Sequence, residues 1–200
     1  MIDALEYAAA LSYSPRGDSQ ISKTSRAYRD ALKRADPVFL QKAAAHVAAQ
    51  VAKGLFAGIF GVGTTLIPVP GSAPRRDQSS LWVPERLCQS LVKAKLSDEI
   101  WSPLRWTRAV PKSAFALRGE RPTVQVHIDS LTIDDYLAPS ESLVLVDDFV
   151  TKGRTLLACA SLLAAAFPAA SCCRRRWSAR SCGAENPPSA WQTGPCSRSS

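Results

Sequence analysis

The stretch Leu143-Val144-Leu145-Val146-Asp147-Asp148-Phe149-Val150-Thr151-Lys152-Gly153-Arg154-Thr155-Leu156 decides how this chain is read. Ser142–Val146 is a short apolar run of the kind that forms a parallel strand buried on both faces. It delivers two carboxylates, Asp147 and Asp148, to its carboxyl end. A polar loop follows, and then a helix predicted over about residues 154–167, which Pro168 stops. Backbone N–H groups of such a loop, together with the helix N-terminus, form a cradle for an anion such as a phosphate. Gly153 lets the backbone approach closely and tolerates positive φ. The hydroxyls of Thr151 and Thr155 supply further donors. Two adjacent carboxylates do not themselves bind a phosphate. They suit the hydroxyls of a sugar diol, close to a divalent cation carried on the same ligand. Phosphate at one end and diol at the other describe a ribose 5-phosphate.

The run resembles the 5-phosphoribosyl 1-pyrophosphate motif of type I phosphoribosyltransferases: a hydrophobic strand, two acids, two hydrophobics, then Thr-x-Gly-x-Thr. Lys152 departs slightly from the small residue often found at its position. A buried strand with two capping acids would also explain the carboxylates. So would a receiver-like phosphoacceptor site, although its acids do not lead into a Thr-x-Gly-x-Thr loop. The resemblance implies that Asp147 and Asp148 are the catalytic residues, holding the 2- and 3-hydroxyls and favouring a cationic ring. It implies that Thr151, Lys152, Gly153, Arg154 and Thr155 bind the substrate phosphate, with Lys152 and Arg154 adding electrostatic attraction. The implied reaction transfers the phosphoribosyl group from phosphoribosyl pyrophosphate to a nitrogen acceptor and releases pyrophosphate. Magnesium (Mg2+) is the implied cofactor, bound through the ligand with no direct protein ligands. The acceptor stays unidentified.

The resemblance extends upstream. Leu66-Ile67-Pro68-Val69-Pro70, a polar loop with Gly71, Ser72, Arg75 and Arg76, and a helix from Pro84 look like the first strand and pyrophosphate loop of that fold. The similarity is greatest to the branch with competence-associated and amidophosphoribosyl-like proteins. Residues 101–121, basic and tryptophan-bearing, fall where the family carries its flexible hood, so Arg105, Arg108 and Lys112 are candidates to close over pyrophosphate. A solvated turn and a solvated basic loop are the plainer readings of these two segments. A non-catalytic regulator binding the same ligand, and a competence-like nucleic-acid-associated protein, are the alternative functions.

Strand, polar loop and helix occur twice, at 64–96 and 142–167, which predicts an α/β fold with a mostly parallel sheet flanked by helices. Asp36 and Pro37 read as N-cap and first residue of a helix that runs to about Lys53, on apolar spacings of three and four. Residues 123–128 alternate like a short strand, and 97–122 have no clean period. Gly58, Gly61 and Gly63 precede a strand, the wrong order for a dinucleotide loop. The expected organisation is a polar N-terminal segment over 1–35, a phosphoribosyltransferase-like domain over 36–170, and a tail over 171–200.

The chain of 200 residues carries a formal net charge of +8, which suits a polyanionic partner. Arg174, Arg175, Arg176, Arg180 and Arg198 against Glu185 hold about half that excess, which argues against nucleic acid as the partner of the whole protein. No secretory signal or membrane-spanning run is read, so the expected location is cytoplasmic, with no membrane partner and with a homodimer allowed. The six cysteines show neither a secretory disulfide framework nor the spacing of a zinc site. Residues 171–200 contain no Leu, Ile, Val, Met, Phe or Tyr. They are expected to be disordered and outside the fold, as a shifted reading frame would leave them, with the strand that should follow the last helix missing. A natural polar tail is the other reading.

Overall fold

The computed structural model describes residues 2, 4–10, 13–14, 16–56, 58–71, 74, 80–110, 122–134, 142–150, 153–168, 170 and 192–197. The elements are β1 (Ala4–Ala9), α1 (Gln20–Lys33), α2 (Pro37–Ala52), β2 (Thr64–Pro68), α3 (Val83–Lys93), β3 (Glu99–Ile100), β4 (Leu104–Trp106), α4 (Val124–Ile128), β5 (Leu131–Ile133), β6 (Ser142–Val146), α5 (Arg154–Ala166) and β7 (Gln192–Ser197). The fold is α/β. Its centre is a three-stranded parallel sheet in the order β3-β2-β6, flanked by helices.

The sheet explains the apolar runs. Every residue of β2 is buried, as expected for a central strand with both faces covered. Its register with β6 runs from Thr64↔Ser142 to Pro68↔Val146. Side chains alternate between two cores. Ile67 and Val69 of the β2 segment join Leu143 and Leu145 in a core with Leu156, Leu157, Ala160 and Leu163 of α5 and with residues of β4 and β5. Leu66 joins Val144 and Val146 in a second core with Ala44 and Val47 of α2 and Cys88 and Leu91 of α3. Helix α5 is apolar around most of its circumference, and seven of its residues are buried, which fits a helix enclosed by several elements. Truncating the fully buried Leu157 to Ala would cost about 2–5 kcal/mol.

Local signals act where they were read. Asp36 accepts the Phe39 N–H at 2.8 Å and Pro37 is the first residue of α2. Phe167 ends α5 before Pro168, and its ring meets Trp101 edge-on at 5.2 Å.

Three segments differ from the sequence expectation. Residues 124–128 form helix α4 instead of a strand. The Thr123 hydroxyl caps it by accepting the Val126 N–H at 3.3 Å. The alternation there also places Val124, His127 and Ile128 three and four apart, and that helical stripe packs inward. The N-terminal segment, read as polar and without assigned structure, holds β1 and α1; Ser19 caps α1 by accepting the Ser22 N–H at 3.2 Å. The tail contributes β7, which pairs antiparallel with β1 from Ala4↔Ser197 to Ala9↔Gln192. A backbone ladder requires no apolar side chains, so composition alone did not exclude it. Residues 171–191 lie outside the described residues.

His127 is 4% exposed, and neither ring nitrogen has a hydrogen-bond partner; the neighbouring Trp106 indole N–H also has none. The two rings are 5.6 Å apart. Burial, and then the charge of Arg154, hold the imidazole pKa below its usual value. The unfolded chain therefore takes up the extra proton first on acidification. Stability attributable to this group is present at neutral pH and is lost as pH falls below about 6.5, the unfolded value. His127→Phe keeps the aromatic contact and removes two unpaired nitrogens. It should raise stability by about 1 kcal/mol at neutral pH and flatten the acid limb of a thermal-unfolding series from pH 8 to 5. A variant whose acid limb matches that of the parent would refute this account.

Candidate functional site

Parallel pairing of β2 with β6 puts the carboxyl ends of both strands at one sheet edge. Ligands of open α/β sheets bind at such edges. Val69 donates its N–H to the Val146 carbonyl at 2.8 Å, so the two chains stay side by side until Asp147 begins the next loop. Gly71 lies just past this point, exposed. Ser72, Arg75 and Arg76, the other expected pyrophosphate-loop residues, lie outside the described residues, as do Thr151, Lys152 and Lys112.

The two acids have different surroundings. Asp147 accepts the Asp148 backbone N–H at 2.8 Å. Burial, and then the neighbouring Asp148 charge, raise its pKa well above the usual carboxylate range, against the opposing pull of Lys33. Its charge is felt by Cys159 of α5, whose buried thiol is pushed up in turn, mainly by desolvation. Asp148 is paired with the Lys33 ammonium at the end of α1, and its side chain is 12% exposed. One acid therefore has its pKa raised and its charge is felt in α5, while the other has the Lys33 ammonium of α1 beside it.

Gly153 is the N-cap of α5, with φ 64° and ψ 11°, in the left-handed region expected for it. It is buried and offers no side-chain cap, so the first-turn N–H groups of α5 lack a capping partner from that residue. Its carbonyl accepts the Leu157 N–H at 2.8 Å, which starts the helical ladder. Thr155 is half-buried in that first turn. Arg154 turns away toward α4: its guanidinium donates to the Pro122 carbonyl at 2.9 Å and its charge reaches His127. That contact differs from the phosphate attraction the sequence suggested for Arg154.

Of the hood candidates, Arg105 on β4 makes a two-pronged contact with Asp134, one arm at 2.9 Å, and holds that carboxyl below its usual range. Arg108 donates to the Ser130 hydroxyl at 2.8 Å. Both belong to the antiparallel β4–β5 pair and its flank, and both are exposed. The structure thus brings Asp147, Asp148, Gly153 and Thr155 to one edge and engages Arg105 and Arg108 with partners elsewhere. Lys33 adjoins Asp148, Tyr13 meets the neighbouring Phe149 and Cys159 feels the charge of Asp147; none was singled out in the sequence. For Lys33 and Tyr13, separation along the chain and the polar character of residues 1–35 gave no local signal.

Among the described residues, no group of three or more His, Cys, Asp or Glu gathers as a metal site, and no helix is long and apolar enough to cross a membrane. Comparison with known proteins finds no matching family model, curated protein or solved structure.

A carboxyl whose folded pKa is raised holds its proton where the unfolded chain has lost it. Its contribution to stability is full below the unfolded value, near 4, and is lost as pH rises through the folded one. Asp147→Asn keeps an acceptor for the Asp148 N–H and removes the ionisation. Its denaturant midpoint should exceed that of the parent by more at pH 8 than at pH 4. An equal difference at both pH values would show that Asp147 is not held protonated.

Gly153→Ala tests the cap: a Cβ at this left-handed φ should cost about 1–2 kcal/mol of stability. An unchanged midpoint would mean that the loop relaxes freely there.

Proposed function

We propose that this chain has the type I phosphoribosyltransferase fold and transfers the phosphoribosyl group of phosphoribosyl pyrophosphate to a nitrogen acceptor, releasing pyrophosphate. The observation that carries this reading is the order of groups along one parallel sheet edge. An acid whose pKa is raised and a second acid beside it follow β6, and a left-handed glycine then opens the N-terminus of α5. The helix start suits the 5-phosphate. The acids suit the ribose diol, because a neutral carboxyl can donate where a carboxylate can only accept.

In the proposed reaction the bond from C1 to the pyrophosphate oxygen breaks and a bond from C1 to the acceptor nitrogen forms. The acceptor nitrogen gives up its proton to the departing pyrophosphate or to water. The ribose ring carries positive charge as the leaving group departs, and the Asp148 carboxylate stabilises it. The rest of the work is positioning. Magnesium is assigned from the motif to the pyrophosphate of the substrate, with no direct protein ligand, where it would neutralise charge on the leaving group. Thr151 and Lys152 are assigned to the phosphate from the motif, and Arg75, Arg76 and Lys112 to the pyrophosphate side.

Titration of magnesium phosphoribosyl pyrophosphate into Thr155→Ala should show binding weaker by about 1–3 kcal/mol than the parent, the cost of leaving a charged oxygen underpaired. Unchanged affinity would remove the phosphate from this helix start. Turnover of labelled phosphoribosyl pyrophosphate against a panel of bases and amines identifies the acceptor. Asp148→Asn should then lower the rate by on the order of a hundredfold. Normal turnover by that variant would displace Asp148 from the chemistry.

A further inference from the structure

Helix α1 makes a contact that the reaction above does not use. Lys33, in its last turn, pairs with Oδ2 of Asp148, and the same ammonium lies 5.3 Å from the centre of the Phe149 ring. Tyr13, upstream of α1, meets the Phe149 ring edge-on at 5.1 Å. Arg29 of α1 donates to the Tyr13 hydroxyl at 3.1 Å, which ties this aromatic contact back to the helix. Two side chains from the N-terminal segment therefore converge on Asp148 and Phe149, the residues that begin the loop to Gly153.

The rest of the attachment of α1 is light. Its only buried residue is Ser22, and Ile21 and Tyr28 are exposed. A tilted contact of Tyr28 with Phe39, at 5.3 Å between ring centres, links it to α2. A helix without a buried apolar stripe derives little stability from packing and opens at small cost. The contact with the acid is different in kind. It places a lysine ammonium, which can only donate, on Oδ2 of Asp148, where it competes with a sugar hydroxyl for the acceptor sites of a carboxylate that is 12% exposed.

We propose that α1 is an internal latch on the acid pair: Lys33 occupies Asp148 as a built-in cation, and a diol-bearing ligand competes with it for that carboxylate. The identity of that ligand rests on the phosphoribosyl reading; the latch itself does not. Because Phe149 contacts both Lys33 and Tyr13, opening the latch also releases the start of the loop that leads into α5. Lys33 is 53% exposed, so the ammonium regains water when it leaves and the exchange is inexpensive.

Lys33→Gln removes the charge, and Lys33→Arg retains it. Two measurements on the full chain decide the matter: hydrogen exchange of the α1 amides without ligand, and calorimetric titration with magnesium phosphoribosyl pyrophosphate. In Lys33→Gln the α1 amides should exchange faster and the compound should bind about fivefold more tightly than to the parent, with Lys33→Arg close to the parent in both. If the parent binds and Lys33→Gln binds no more tightly, the latch is overturned and the phosphoribosyl reading stands. If neither binds while circular dichroism shows both folded, the phosphoribosyl reading falls. Exchange then decides the latch alone: faster exchange of α1 in Lys33→Gln supports it, and unchanged exchange overturns it.

Discussion

The register between β2 and β6 is the constraint on which the rest of the structure depends. Pairing Thr64 with Ser142 and Pro68 with Val146 makes β2 a central strand and sends alternate side chains of both strands into two separate cores. A slip of one residue would exchange those faces, moving Leu143 and Leu145 from α5 to α2 and α3. It would also shift the acids, because Asp147 and Asp148 continue directly from the last residue of β6. The same pairing that buries the apolar residues therefore decides which acid meets α5 and which meets α1.

That separation gives chemically identical neighbours unlike behaviour. Asp147 lies on the side of the buried Cys159 and has its pKa raised; Asp148 has an ammonium within contact. Two adjacent carboxylates in one environment would repel each other and offer only acceptors. Splitting their environments lowers the repulsion and yields one potential donor beside one acceptor, the combination that two hydroxyls of a diol can satisfy. Lys33 contributes to both sides, stabilising Asp148 directly and opposing the rise at Asp147 at longer range.

The sequence was most legible where one local cause dominates. The apolar run 142–146, the Asp36-Pro37 helix start, Pro168 and Gly153 each act through their own backbone or nearest turn, and each has the structure read from it. It was least legible where tertiary contact chooses between two local patterns. Val124-Gln125-Val126-His127-Ile128 has both a strand alternation and a helical stripe, and only the surface it packs on distinguishes them. The strand pairing of 4–9 with 192–197 has no compositional signature, since its partner carries Gly194 and Pro195. Of the site, the acids and the glycine were legible because they are contiguous. Lys33 was not, being 115 positions from the carboxylate it meets.

Among the described residues, β6 is an outer strand of its sheet, a position that leaves one side of its ladder without a strand neighbour. The helix after the anion loop does not depend on a further strand there. Helix α5 contacts α4, β1, β5 and β6, and Leu157, Ala158, Cys159, Ala160 and Leu163 are fully buried among them. Its N-terminus is fixed by that enclosure, by the Gly153 turn and by the contact of Arg154 with Pro122. Fraying at the outer side of β6 would weaken the ladder while leaving the start of α5 anchored on three other elements. The acids are the vulnerable half of the site, because they continue directly from the end of β6, and the clasp of Lys33 on Asp148 ties that half to a second part of the chain.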